Sequence, residues 1–170
     1  GILLERSSLE PLPLAGAPHD WALTLHGRYT RAEILSAVGY LTPIARPLSD
    51  SGCLPLTEER IEILFVTLDK SEGFHERVQF KDYAISSELF HWQTQNRAGP
   101  DNNSGRRYTE SGTNGWKFQL FVRENRDSAY VAVGYVQLVS HEGDRPISIT
   151  WRLEQPLTAE LFRRFSLLRG

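Results

Sequence analysis

The densest set of side chains able to do recognition chemistry lies in the run Phe90-His91-Trp92-Gln93-Thr94-Gln95-Asn96. Trp92 offers a flat stacking surface, and Gln93, Gln95 and Asn96 each carry an amide that both donates and accepts hydrogen bonds. With the His91 imidazole, these are the groups needed to hold an extruded nucleobase by its face and its edge. Arg97, Arg106 and Arg107 follow at a distance suited to phosphates. A plainer account fits the same residues: Phe90 and Trp92 as core, with the amides capping neighbouring backbone.

Other chemistry is hard to assemble. The sequence has no Gly-rich phosphate loop followed by Lys-Ser/Thr, no Gly-x-Ser-x-Gly elbow and no His-Glu-x-x-His. Cys53, the single cysteine, stands in a Pro-rich stretch with no basic neighbour to lower its pKa, which points to an inert thiol. The five histidines lack metal-ligand spacing. His141, Glu142 and Asp144 surround Gly143, where a turn calls for polar residues anyway. The expectation is a non-catalytic chain that needs no cofactor or metal.

Composition is that of a globular domain: 170 residues, 40% hydrophobic, 24% charged, enough to bury a core unaided. No apolar run reaches the length of a membrane span, and Gly1-Ile2-Leu3-Leu4 is too short for a signal segment. One cysteine excludes a disulfide scaffold, and the cytoplasm is the expected compartment. The absence of methionine, including at position 1, leads us to expect a fragment of a longer protein. The net charge of −2 does not announce a nucleic-acid binder. Arginine nevertheless outnumbers lysine 16 to 3, and its planar fork suits phosphates and base edges. A GC-rich genome produces the same bias.

Residues 1–20 hold three prolines and little periodicity, so they read as a linker or N-terminal arm, with 21–170 as one recognition domain. Leu23 and Leu25 predict a short strand. Thr30-Arg31-Ala32-Glu33 is a capping box, Ile34, Leu35 and Val38 give the helix an apolar face, and Gly39 closes it. Residues 42–57 read as loop. Ile61–Leu68 predicts a strand buried on both faces, Val78–Ile85 a shorter one, and Ser86–Phe90 a brief helix. Residues 96–115 read as one long loop. Strands follow over Trp116–Arg123 and Ala129–Leu138, joined by a hairpin through 124–128. Ile147, Ile149, Trp151 and Leu153 alternate with polar residues, and Thr158 caps a last helix with Leu161, Phe162, Phe165 and Leu168 on its apolar side. Five or six strands without strand–helix–strand alternation predict an α+β fold: a mixed, strongly curved β-sheet or open barrel with short flanking helices.

Several stretches recur in order in a known family: Leu25–Thr30 with Glu33–Leu35, Phe65–Ser71, Tyr83–Ser86, Leu89–Asn96, Gly105–Tyr108, Leu120–Glu124 and Ser140–Leu153. Over roughly Leu23–Leu153 the chain resembles the C-terminal domain of unknown function of bacterial DEAD/DEAH-box helicases that also carry a phospholipase-D-like nuclease. Some of these are type IV, modification-dependent restriction enzymes. The resemblance implies a reader of 5-methyl- or 5-hydroxymethylcytosine in double-stranded DNA, acting by base flipping and partnered by helicase and nuclease domains of the parent chain. It would use Trp92 and Tyr29 as stacking faces, with His91, Gln93, Gln95 and Asn96 reading edges. Arg28, Arg97, Arg106, Arg107 and Arg145 would hold the backbone, with His26 and Tyr108 at the margin. Tyr29 also fits as a hydrophobic staple before the capped helix. The alternative is a protein-interaction domain that docks on the helicase–nuclease core and gates it, marked by an exposed apolar patch on the last helix.

Overall fold

The chain folds, in a computed structural model that describes residues 11–40, 52–68, 82–94 and 103–167, around one open eight-stranded sheet with three short helices. The strands are β1 (Arg28–Tyr29), β2 (Cys53–Leu56), β3 (Ile61–Thr67), β4 (Tyr83–Ala84), β5 (Leu89–Gln93), β6 (Lys117–Arg123), β7 (Tyr130–Glu142) and β8 (Ser148–Leu153). The helices are α1 (Arg31–Ala37), α2 (Asn103–Thr109) and α3 (Ala159–Phe165). Strand order is β2-β3-β6-β7-β8-β5-β4, with β1 paired to the start of β7. Among the described strands only β3 and β6 run parallel. The sheet does not close into a barrel. Among the described residues no helix is long and apolar enough to cross a membrane.

The β3–β6 half is buried on both faces. Leu64, Val66, Phe118, Leu120 and Val122 point into a core shared with β5, β8 and α3. Ile61, Ile63, Phe65 and Phe121 point the other way, into a second core closed by α1, Leu14 and Leu23. This two-sided cover explains the nearly continuous apolar reading of β3. On α1 the capping box forms as expected: Glu33 N–H donates to Thr30 Oγ1 (3.2 Å) and Thr30 N–H to Glu33 Oε1 (2.8 Å). Thr158 caps α3 through its hydroxyl alone, which accepts from Leu161 N–H (3.2 Å), and Leu161 and Phe165 enter the core; Leu168 lies outside the described residues.

Several expectations are corrected. Leu23 and Leu25 do not form a strand; Thr24 makes an isolated bridge to Pro13, a turn through His26 (φ 62°) and Gly27 follows, and the strand is Arg28–Tyr29. Part of the 42–57 loop is strand β2, which tolerates Pro55 because it lies at the sheet edge. Ser86–Phe90 is not helical. Ser86 Oγ accepts from the N–H groups of Glu88 and Leu89, capping a turn that delivers β5. The Val78–Ile85 strand lies partly outside the described residues, and Tyr83–Ala84 is its described part. The 96–115 loop contains α2, and β7 runs on to Glu142.

Strand β7 carries two irregularities, one opposite Leu120/Phe121 and one at Val139. The first needs Gly134, whose φ of +96° is open to glycine and strained for any other residue. A Cβ there would meet its nearest neighbours at ordinary contact distances of 3.5–3.6 Å, so the constraint is conformational rather than steric. Gly134→Ala is therefore expected to destabilise the fold by about 1–3 kcal/mol, while Gly112→Ala, with open space around it, leaves the midpoint of urea unfolding nearly unchanged.

Candidate nucleic-acid interface

Alternation along β5 separates the candidate residues. Phe90 and Trp92 turn into the core, and Leu89, His91 and Gln93 take the opposite face. The register aligns that face across three strands: Gln93 opposite Ser148 opposite Glu142, His91 opposite Thr150 opposite Ser140, and Leu89 opposite Arg152 opposite Gln137. The Gln93 amide donates to Ser148 Oγ (3.2 Å), and Gln93 N–H donates to Asp82 Oδ1 (3.0 Å). Tyr83 on β4 stacks against His91 with ring centroids 4.9 Å apart and planes 17° from parallel. The second core, which covers this face over β2, β3 and β6, includes no residue of β4, β5 or β8. The result is a partly exposed polar sheet face with an aromatic–imidazole stack and an amide in adjoining rows.

Trp92 does not offer a stacking face. It is 4% exposed, edge-on to Tyr108 at 5.0 Å and 6.1 Å from Trp151, because the pleat that exposes His91 and Gln93 must bury it. Tyr29 is also engaged: its hydroxyl accepts from Thr24 N–H (2.9 Å), lies 3.1 Å from Thr24 Oγ1, and its ring packs on the second core. A Cβ on Gly27 would stand 2.6 Å from that hydroxyl, so the turn needs glycine to let Tyr29 close over it. His26 has a buried Nε2 without a partner, and burial lowers its pKa. Arg28 is exposed on β1, Arg106 on α2, and Arg145 at the β7–β8 turn, where it bonds to Asp144 Oδ1 and Oδ2 at 3.1 and 3.0 Å. Gln95, Asn96 and Arg97 lie outside the described residues. The predicted constellation therefore does not converge on one pocket.

Arg107 and Tyr108 serve a different purpose from the one expected. Glu62 is fully buried on β3, where Arg107 Nε donates to Oε1 at 2.9 Å and the Tyr108 hydroxyl donates to Oε2. Arg107 also lies over the Trp116 ring at 5.3 Å. Arg107 gives its Nε to a buried carboxylate, and a phenol 3% exposed reads no base. Burial raises the Glu62 pKa despite the opposing pull of Tyr108 and Arg107. Cys53, whose Sγ is 3.5 Å from the Tyr108 hydroxyl, is pushed up to about 12, first by burial and then by the Glu62 charge. That thiol is inert at neutral pH. Together these groups fasten α2 to the sheet.

Residues 23–165 match a family described as a domain of unknown function, DUF3427. The chain belongs to this family. No curated protein matches it. The match takes in every element of the DUF3427 domain from β1 to α3, so the polar face and the Glu62 network both lie inside it.

Sequence reading missed Tyr83, Ser148, Thr150, Arg152 and Gln137 as members of this face. Their signal was present in the alternation of β8 and in the Phe-His-Trp-Gln pattern of β5, once register is known. It also missed Trp116, which with Ser111, Gly112, Phe118 and Tyr135–Leu138 lines a groove of about 380 Å³ that borders the face at Gln137.

The network gives a test with a defined sign. Glu62→Ala leaves a buried phenol and a partly buried guanidinium unpaired and is expected to cost about 2–3 kcal/mol in chemical unfolding. A carboxyl whose pKa is raised on folding binds its proton more tightly in the folded chain. Its contribution is therefore complete below the ordinary carboxylate range and lost as pH rises through the raised value. The stability of the native chain relative to Glu62→Gln should fall over that interval; a flat difference would contradict the raised pKa.

Proposed function

We propose that this domain recognises double-stranded DNA carrying modified cytosine, 5-methyl or 5-hydroxymethyl, as the non-catalytic reader of a modification-dependent restriction system in the cytoplasm. Helicase and nuclease domains of the parent chain would act on what it binds. The observation that carries this reading is the polar sheet face, with the Tyr83–His91 stack and the Gln93 amide in adjoining rows and no described element packed over them. Extruding a base costs a few kcal/mol, and stacking on one aromatic recovers about 1–3 kcal/mol. The stacking role passes from Trp92 to Tyr83 and His91, with Gln93 offering an edge contact. The groove beside Trp116 offers a hollow at the border of that face. Phosphate contacts supply the remainder, so binding falls steeply with salt.

One observation favours docking on a helicase–nuclease core instead. Ile85 and Leu167, each 44% exposed, are brought together by the bridge between Ala84 and Ser166 at the end of α3. Exposed apolar neighbours at a sheet edge suit a protein contact.

Titration with three matched duplexes, unmodified, 5-methylated and 5-hydroxymethylated, at two salt concentrations separates the readings. Recognition of DNA gives tighter binding to a modified duplex, a loss of about tenfold or more in Tyr83→Ala or His91→Ala, and no change in Ile85→Ser. Equal and negligible binding to all three at low salt would sink the DNA reading and leave docking through Ile85 and Leu167.

A further inference from the structure

Rows of the polar sheet face differ in what they offer a ligand. At one end Gln93, Ser148 and Glu142 stand side by side on β5, β8 and β7. Gln93 Nε2 donates to Ser148 Oγ at 3.2 Å, so the Ser148 hydroxyl hydrogen remains to be donated. Glu142 is exposed and enters no ion pair among the described residues, which leaves its carboxylate as an acceptor. A donor and an anionic acceptor therefore stand on neighbouring strands, about 4.8 Å apart.

In the middle row the Tyr83–His91 stack is followed by Thr150 and Ser140. Those two side chains are short, so the height that the rings occupy over β4 and β5 is empty of side chain over β8 and β7. A planar ring standing over Thr150 lies beside the imidazole and turns one edge to Ser148 and Glu142. At the far end Arg152 stands between Leu89 and Gln137, exposed and in no ion pair among the described residues. Ser148 and Arg152 are four residues apart on β8, about 13 Å. Base edge and phosphate then fall at opposite ends of one face.

The order of donor and acceptor decides which ring fits. Cytosine presents an amino group beside a ring nitrogen that accepts. The amino group suits a carboxylate, and the ring nitrogen suits a hydroxyl donor. Thymine presents a carbonyl beside a ring N–H, which would set oxygen against the Glu142 carboxylate and leave buried polar groups mismatched. Adenine shares the amino edge with cytosine, and guanine shares the carbonyl edge with thymine.

We infer that Ser148 and Glu142 read the amino edge of a base seated over Thr150, with Gln93 positioning the Ser148 hydroxyl and Arg152 on the phosphate. The inference rests on the DNA reading above and narrows it: the site selects amino bases, cytosine among them, over thymine. The base comes either out of a duplex or from a single strand.

5-Methylcytosine and thymine carry the same methyl group and differ at this edge, so together they isolate it. The full chain is titrated with a duplex containing one 5-methylcytosine, the same duplex with a thymine–adenine pair there, and the two corresponding single strands. The native chain should prefer 5-methylcytosine about tenfold. Glu142→Gln and Ser148→Ala should each bring that ratio close to one. Arg152→Ala should weaken binding to both bases alike and lower the logarithmic salt slope by about 1. His141→Ala, beside Glu142 but opposite Ile149 on the other face, should change neither ratio nor slope. Each ratio compares two ligands on the same protein, so a partly unfolded variant does not imitate the effect.

A ratio lost on the duplex in both edge variants supports the inference with an extruded base. The same loss on single strands, without duplex binding, keeps the edge assignment and sinks the duplex reading. Duplex binding with a native ratio near one, or with a ratio unchanged in both edge variants, overturns the edge assignment while DNA binding stands. An equal loss in His141→Ala overturns it as well, and an unchanged slope in Arg152→Ala overturns the phosphate contact. Binding to none of the four probes overturns both.

Discussion

A carboxylate near the start of the most buried strand constrains much of the fold. Glu62 has no access to water, so its oxygens must be bonded from within, and the donors come from Arg107 and Tyr108. These two stand on a seven-residue helix whose sequence, Asn-Ser-Gly-Arg-Arg-Tyr-Thr, has little intrinsic reason to be helical. Tertiary contact therefore holds α2 in place. Once Tyr108 reaches Glu62, its ring also meets Trp92 and Phe118, at 5.0 and 5.4 Å, and closes that corner of the core. Arg107 reaches Glu62 while lying over Trp116. One buried charge thus orders a helix, an aromatic cluster and the approach to the groove beside Trp116.

The sheet is covered unequally. The parallel pair β3–β6 is dry on both faces, with α1 and the Leu14–Leu23 segment on one side and α2 and α3 on the other. The antiparallel run β7-β8-β5-β4 is dry on one face only, as antiparallel sheets permit. Strand β7 spans both regimes: its first half pairs with β6 and β1, its second half with β8, and irregularities at Gly134 and Val139 ease the change. A polar face collects where the cover stops. Its position follows from topology, and its residues come from two strand pairs, β4–β5 and β7–β8, that are distant from each other in sequence.

Elements whose signal is local were legible before the structure: the capping box at Thr30, the two-sided strand at Ile61, the alternation of β8 and the cap at Thr158. Those whose stability is tertiary were not. Strand β2 contains a proline that only an edge position excuses, and α2 exists because of Glu62. Strand β5 looked like the start of a helix because Ser86 caps a turn with the same hydroxyl chemistry that caps a helix. In the segment Phe90–Gln93 the ring taken as exposed, Trp92, is the buried one. Phe-His-Trp-Gln alternates apolar and polar residues, so His91 and Gln93 can be exposed only if Trp92 is buried. The arginines around Tyr130 left no motif, since Arg31 and Arg123 are brought to one ring by the pairing of β7 with β1 and β6.

A net charge of −2 counts every ionisable group equally, although a polyanion approaching the surface does not meet them equally. Glu62 is enclosed and bonded by Arg107, Glu124 is bonded by Arg164, and Asp144 by Arg145. The ends of the molecule then differ. At Tyr130, the guanidinium groups of Arg31 and Arg123 lie 5.6 and 4.5 Å from one ring centroid. At the β2–β3 turn, Glu58 and Glu59 precede Arg60. Charge placed so unevenly among the described residues is not captured by a whole-chain sum. Whole-chain charge is therefore a poor guide to the local field that a charged group meets at this surface.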